Sequence, residues 1–400
     1  MYNRMTYSLI ALFFVPVIAS AQYTFFNPKG SFAIEASLES TDELRMPMYQ
    51  NAMSSLTVSG DFILGGTTAE KGLSPLIFTS SLAQRKLTAI KQLEEVVKGQ
   101  LSIGTGFSRA KSGNVFYAGT MPQPGTGLGG HIIELQVNSQ GRIAVKDLGE
   151  PVAGEGIFAM TFNPDRNECY GIVHPSGKFF SFNLKTGKSR VYDQTAPSAK
   201  DLETYHSFAL EPEDFLGRAL VIDQQGRIYG SKAINKLFCF DPATETFSVL
   251  KDELPFVWGR EAMGRIDSWA KMPDGTIYGS NAADGQLFRL DPLKQSLVNL
   301  GKPIMMPRIM AMSPGKNGML YGVAGASPGY AHLFSYHPQK GFRDLGNPEF
   351  RMITPGLEQG INWRGFQIAS MASSENGNYI IMGENEALSQ LMVFPAEDLP

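Results

Sequence analysis

Three arginines recur at one position of a repeated phrase. Residues 217–220 read GRAL, 264–267 GRID and 307–310 PRIM, which sets Arg218, Arg265 and Arg308 each just ahead of a short apolar run. A guanidinium holds a carboxylate or sulfate through two parallel N–H bonds, which a lysine ammonium does not match. Arginines from successive repeats would converge if the repeats stood around an axis. The alternative is that each pairs with a nearby acid such as Asp267. Of the five histidines, His131, His174 and His206 fall in neighbouring repeats, and Tyr205 precedes His206. His332 and His337 stand at ordinary repeat positions and read as structural. Arginine with histidine and tyrosine suits elimination across a uronic-acid glycoside. Arginine neutralises the C6 carboxylate and so acidifies the C5 proton. Histidine or ionised tyrosine takes that proton, and a second group protonates the leaving oxygen. Hydrolysis would call for paired carboxylates instead, for which Asp267 and Glu261 are the candidates.

Composition narrows the field. Lys+Arg 35 against Asp+Glu 38 gives a net charge of -3, so no global field gathers nucleic acid or an anionic membrane. Cys169 and Cys239 are the only cysteines, which excludes a disulfide scaffold, and they read as two buried thiols. No zinc-ligand spacing surrounds them, and the H-E-x-x-H and EF-hand patterns are absent. The loop at 125–130 (GTGLGG) resembles a phosphate cradle but lacks the helix that would follow one. The expectation is a site with no cofactor and no metal, acting on an acidic polysaccharide or oligosaccharide.

The elements that would position these residues are written as a repeat. GRIYG at 226–230 is followed by KLFCFDP at 236–242; GTIYG at 275–279 by GQLFRLDP at 285–292; GMLYG at 318–322 by HLFSYHP at 332–338. Weaker copies surround Tyr117 and Tyr170, and the tyrosines recur every 43 to 59 residues. Each copy reads as an inner run, a D-x-x-G turn, the x-I-Y-G strand, an L-F-x-x-D-P strand and a ragged outer strand. Four strands per unit at that period is the signature of a β-propeller blade. With 42 Gly, 24 Pro and 18% charged residues, the chain is predicted to be all-β: a seven-bladed β-propeller of four-stranded antiparallel blades. Inner strands are expected near 54–58, 101–104, 157–162, 219–222, 266–270, 309–312 and 368–371. The last repeat ends at a third strand, 390–394, so a strand within 23–35 is expected to complete it and close the ring from the N-terminus. The tyrosines are expected to pack between blades. Residues 83–97 have helical character, and 195–217 is a long insertion before the fourth blade.

The first residues carry an address. Arg4, the apolar run 9–18 (LIALFFVPVI) and Ala19-Ser20-Ala21 read as a cleaved Sec signal peptide over 1–21, leaving 22–400 as one propeller domain. No later window of the chain is apolar enough to anchor it in a membrane. A secreted or periplasmic protein is expected.

Residues 170–180 (YGIVHPSGKFF), 218–230 (RALVIDQQGRIYG) and Gly383–Glu386 (GENE) resemble the secreted seven-bladed propellers of bacterial polysaccharide utilisation, among them ulvan lyases and rhamnosyl-glucuronate lyases. A related group of rhamnosidases shares that architecture. The resemblance implies a polysaccharide lyase with His131 as a site histidine and Arg218 and Arg265 as the site arginines. His174 stands where that family has a tyrosine, with Tyr205 as its substitute, and Lys111 stands where a second histidine would be. A glycan-binding or scaffold propeller and a propeller glycosidase are the competing readings.

Overall fold

The computed structural model describes residues 25–26, 29–35, 52–203, 211–257, 264–305, 308–325, 331–351, 362–364, 368–384, 390–397 and 399. They form a seven-bladed β-propeller with antiparallel blades built on four strands each. Blade one runs through Ala52–Ser59, Phe62–Thr68, Leu76–Ser81 and Lys86–Gln92. Blade two holds Ser108–Arg109, Val115–Gly119, Ile132–Val137 and Ile143–Gly149; blade three holds Gly156–Asn163, Glu168–His174, Lys178–Asn183 and Lys188–Gln194. Blades four, five and six start at Val221–Ile222, Ile266–Lys271 and Ile309–Pro314, and blade seven at Ile368–Ser373. The last strand of the chain, Gln390–Pro395, pairs antiparallel with Phe32–Glu35, Ile34 opposite Leu391. The N-terminal strand therefore closes the ring as the sequence predicts, and removes the open edge the last blade would otherwise present.

A glycine opposite a phenylalanine sets the form of most blades. Gly65, Gly171, Gly230, Gly279 and Gly322 on second strands face Phe78, Phe180, Phe238, Phe288 and Phe334 on third strands. A Cβ on any of these glycines would overlap the facing ring. Each ring thus lies flat over the second strand, covering a bare stretch of backbone. Blade two uses Ala118 opposite Ile133, and blade seven Met382 opposite Met392.

The residue before that glycine turns to the next blade. Tyr117 meets Phe162 at 4.5 Å, Tyr170 meets Phe240 at 5.8 Å, and Tyr278 meets Tyr336 at 5.6 Å between ring centroids. Tyr229 is buried with Leu290 of blade five, and Tyr321 with Met392 and Phe394 of blade seven. The repeated tyrosines are the mortar between blades, as their recurrence implied. Cys169 and Cys239 are buried free thiols.

Two expectations fail locally. Residues 83–97 form the outer strand Lys86–Gln92 and a single 3-10 turn at Leu93–Glu95, not a helix. Pairing with Leu76–Ser81 along the blade outweighs the helix propensity of that stretch. In blade two, Gln100–Ser102 pairs with Thr68 of blade one and with Met121–Pro122, while the regular inner ladder lies later, at Ser108–Arg109 against Phe116 and Tyr117. Gly104 and Gly106, the latter at φ 77, break the pleat between them.

Gly322→Ala tests the glycine–phenylalanine packing. The added methyl meets Phe334 and Met312. It should cost about 1–3 kcal/mol in a urea melt, with part of the loss restored by adding Phe334→Leu. A second test uses pH. Burial, then the charge and hydrogen bond of Glu134, push the Tyr117 phenol from 10.0 up to about 12. The folded state keeps this proton where the unfolded chain has lost it, so the contribution is complete below pH 10 and lost as pH rises through about 12. Tyr117→Phe should flatten the fall in urea midpoint over that window.

Candidate functional site at the channel mouth

The inner strands enclose a central channel of about 490 Å³ whose wall takes residues from all seven blades, among them Ser55, Thr105, Phe158, Ala219, Asp267, Met312 and Met371. Five inner strands carry a register shift near their start, where an extra residue interrupts the ladder. In blades three, five, six and seven the extra residues are Phe158, Asp267, Met310 and Ala369, and all of them line the channel. A bulge re-aims a side chain that the alternation of a strand would send elsewhere. The same device thus gives blade five a carboxylate and blade three an aromatic ring at the axis.

Arg265 and Arg308 directly precede the inner strands of blades five and six, and Arg218 lies three residues ahead of the short strand Val221–Ile222. The backbone N–H of Arg218 donates to Ile266 O at 3.3 Å, which ties the fourth blade's arginine to the fifth blade's strand. Arg308 adopts φ 59 and folds back on Asp267 in a two-pronged pair, Nε to Oδ2 at 2.7 Å and Nη2 to Oδ1 at 2.6 Å. The Asp267 side chain is only 2% exposed in this pair.

Arg218 and Arg265 make no hydrogen bond or ion pair through their guanidiniums among the described residues. Both have their pKa lowered, first by burial; Asp267 opposes the shift and Arg308 adds to it, while Arg265 also feels Arg218 and, favourably, Asp214. Three guanidiniums therefore share Asp267, with Asp214 more remote and turned to the Glu211 N–H. Arg218 lines the channel and is exposed there, with protein on the sides around it. The mouth holds more guanidinium than carboxylate, which is the electrostatic demand an anionic ligand would meet. The indole N–H of Trp269 donates to Ala219 O at 3.2 Å, and its ring lines the channel beside Asp267. Neither Trp269 nor Phe158 stood out in the sequence. An isoleucine, any residue, then alanine or serine recurs at 157–159, 266–268, 309–311 and 368–370, and that is the signal that marks the bulge.

The histidines separate. His174 ends the second strand of blade three opposite Gly156, at the channel end from which the inner strands start, and its ring stacks on Phe158 at 5.8 Å and 28°. His131 lies further out along blade two. Its Nδ1 meets Asp147 Oδ1 at 2.9 Å, and that same oxygen accepts the Gly149 N–H at 2.8 Å. Blade six repeats the arrangement with His332, Asp344 and Gly346, and blade five with Gln286, Asn299 and Gly301. His131 thus occupies a position of the blade repeat that fastens the third strand to the outer one, away from the channel wall. Tyr205 and His206 lie outside the described residues. Arg364, a further arginine ahead of the last inner strand, belongs to a strand paired with the outer strand of blade six.

No protein-family model matches the chain, and no curated protein matches it. Solved structures do. Virginiamycin B lyase from Staphylococcus aureus, solved as a catalytically inactive variant with quinupristin, matches with TM-score 0.58 and 10% identity over 86% of this chain and 95% of that one. The extracellular domain of what is described as a hybrid two-component system from B. thetaiotaomicron matches with TM-score 0.56 and 14% identity, covering 92% of this chain and 39% of that one. The propeller domain of Cps50 (Swd1) from Myceliophteria thermophila gives 0.56 and 10%, over 86% and 97%. These neighbours share the propeller fold, an extracellular bacterial domain among them, and at such identity the likeness speaks to fold alone. Among the described residues no helix is long and apolar enough to cross a membrane, and no group of metal-binding side chains occurs.

Asp267→Asn probes the balance of the mouth. It leaves Arg308 without its ionic partner in a largely enclosed place. The loss should be about 2–3 kcal/mol in urea unfolding, below the full cost of breaking a buried pair because Arg308 keeps some contact with solvent. Adding Arg308→Met should recover part of it.

Proposed function

We propose that the protein is an exported propeller whose channel mouth binds the carboxylate of a uronate-containing glycan, and that it cleaves the glycan by β-elimination. The observation that carries this reading is the pair of uncompensated guanidiniums, Arg218 and Arg265, beside the Arg308–Asp267 pair. In the proposed reaction these two arginines hold the C6 carboxylate and stabilise the charge that builds on it. Arg308 acts through Asp267 and keeps the mouth in shape. His174 Nδ1 or Nε2 takes the C5 proton; the electron pair forms the C4–C5 double bond as the C4–O bond breaks. Tyr205 or His206, in the insertion before Arg218, protonates the leaving oxygen. Trp269 and Phe158 offer apolar faces to a sugar ring. His131 is left out of the proposed step because it stands along blade two, away from the channel wall. Export rests on the signal peptide read over 1–21, which lies outside the described residues.

One observation favours a second reading, a binder without catalysis: among the described histidines His174 alone stands at this end of the channel beside a channel-lining ring. A single experiment separates the two. The mature protein is incubated with ulvan, glucuronan, pectin and gum arabic, and the ultraviolet absorbance of an unsaturated uronate is followed. Elimination predicts that absorbance, a loss of about 10²–10⁴-fold in kcat for His174→Ala, and retained glycan retardation in an affinity gel. Arg218→Ala should abolish retardation and turnover together. No absorbance with any of the four, alongside retardation that depends on Arg218, assigns the binder. Release of a saturated reducing sugar would instead assign a glycosidase.

A further inference from the structure

At the end of the barrel away from the arginines, the turns joining inner to second strands in blades five, six and seven border a cleft of about 860 Å³. There the blade repeat is broken in a specific way. The tyrosine hydroxyls of blades two, three and four go to Glu134, Glu168 and Asp223, at 3.2, 2.5 and 3.2 Å. Blade six gives the Tyr321 hydroxyl to Ala396 O at 3.5 Å. Tyr278 of blade five has no acceptor among the described residues. The residue across from it on the third strand is Arg289, where the other blades place Glu134, Ser181, Cys239 and Ser335. Arg289 is exposed in the cleft and makes no ion pair or hydrogen bond among the described residues.

The surroundings supply more donors. Tyr336 of blade six packs edge-on to Tyr278 at 5.6 Å, and its hydroxyl likewise meets no acceptor among the described residues. Arg289 is near enough to both phenols to act on them electrostatically. His337 Nδ1 accepts the Gln339 N–H at 3.2 Å, so in the neutral ring Nε2 carries the proton. Lys316 stands on the adjoining turn. Of the two carboxylates in the lining, Glu375 pairs with Arg109 at 2.6 Å, while Asp274 accepts the Thr276 N–H on Oδ1 at 2.9 Å and its charge still acts on Tyr278. One blade has thus exchanged the acceptor or neutral partner of its tyrosine for a cation, and gathered donors that make no hydrogen bond to an acceptor among the described residues. Buried or half-buried donors in that arrangement call for an oxyanion.

We propose that this cleft is a second binding site, separate from the channel mouth, for an oxyanion of the carboxylate or sulfate type, held by Arg289 with the Tyr278 and Tyr336 hydroxyls and His337 Nε2–H. The proposal does not rest on the reading of the mouth. Isothermal titration of the mature protein in chloride buffer with sodium glucuronate, and separately with sodium sulfate, tests it. Wild-type protein and Arg218→Ala should both bind at this cleft. Arg289→Ala should weaken that binding at least tenfold, and the double variant Tyr278→Phe/Tyr336→Phe severalfold. Both leave the fold intact in thermal melts, since Arg289 is exposed and the ring contacts remain. Binding of glucuronate alone assigns a carboxylate site, and binding of sulfate alone a sulfate site. Titrations of Arg289→Ala that match wild type for both probes, or no binding of either probe to Arg218→Ala, overturn the proposal. Loss confined to Arg218→Ala would assign the anion to the mouth instead.

Discussion

The ring depends on a bare glycine lying under a phenylalanine. Where Gly171 faces Phe180, or Gly279 faces Phe288, no side chain separates the ring from the second strand. That close approach thins the blade at its centre. The tyrosine one residue earlier then reaches the next blade, as Tyr170 does to Phe240. Apolar burial between neighbouring blades is thus continuous around the molecule, and each blade contributes to the core on both of its faces. A methyl group in place of the glycine hydrogen would push the ring outward and open that seam. The strength of the fold and its curvature come from the same pair.

The site rests on a second repeated irregularity. A bulge near the start of an inner strand adds one residue that faces the channel, and the identity of that residue differs from blade to blade: Phe158, Asp267, Met310, Ala369. The scaffold therefore fixes where side chains meet the axis and leaves their chemistry free to vary. Blade five supplies a carboxylate, and three arginines from blades four, five and six gather on it. Arg308 satisfies Asp267 through both of its oxygens. Because the carboxylate is spent on one arginine, the field of the other two is left to act on whatever enters.

The architecture was legible because it is written many times. Seven copies of a strand pattern, most with glycine at a fixed place and two with Asp-Pro after the third strand, outvote any ambiguity within one copy. Even the closing strand Phe32–Glu35 could be read, since Gln390–Pro395 otherwise lacked an outer partner. Local errors arose where one copy was irregular. Lys86–Gln92 is rich in residues a helix tolerates, and only its place beside Leu76–Ser81 decides for strand. The site was legible in part for the same reason: arginine at equivalent repeat positions implied convergence. The bulges were missed, because the isoleucine-x-alanine or serine recurrence takes its meaning only once the partner strand is in register. Trp269 and Phe158 were hidden with them.

Repetition also offers a criterion for which polar residues have been released from structural service. His131 and His332 read as similar residues in different blades, and the structure makes them equivalent: each binds an aspartate whose other bond holds a glycine N–H two residues on. A role shared by blades two and six belongs to the blade. His174 has no such counterpart; at the matching register, blade five places Ala282 and blade six Gly325. The same criterion separates Tyr278 from Tyr117, Tyr170 and Tyr229, since only in blade five does the facing position carry a cation. Departure from the repeat, rather than residue type, is what marks His174 at one end of the barrel and Arg289 at the other as residues the fold does not need for itself.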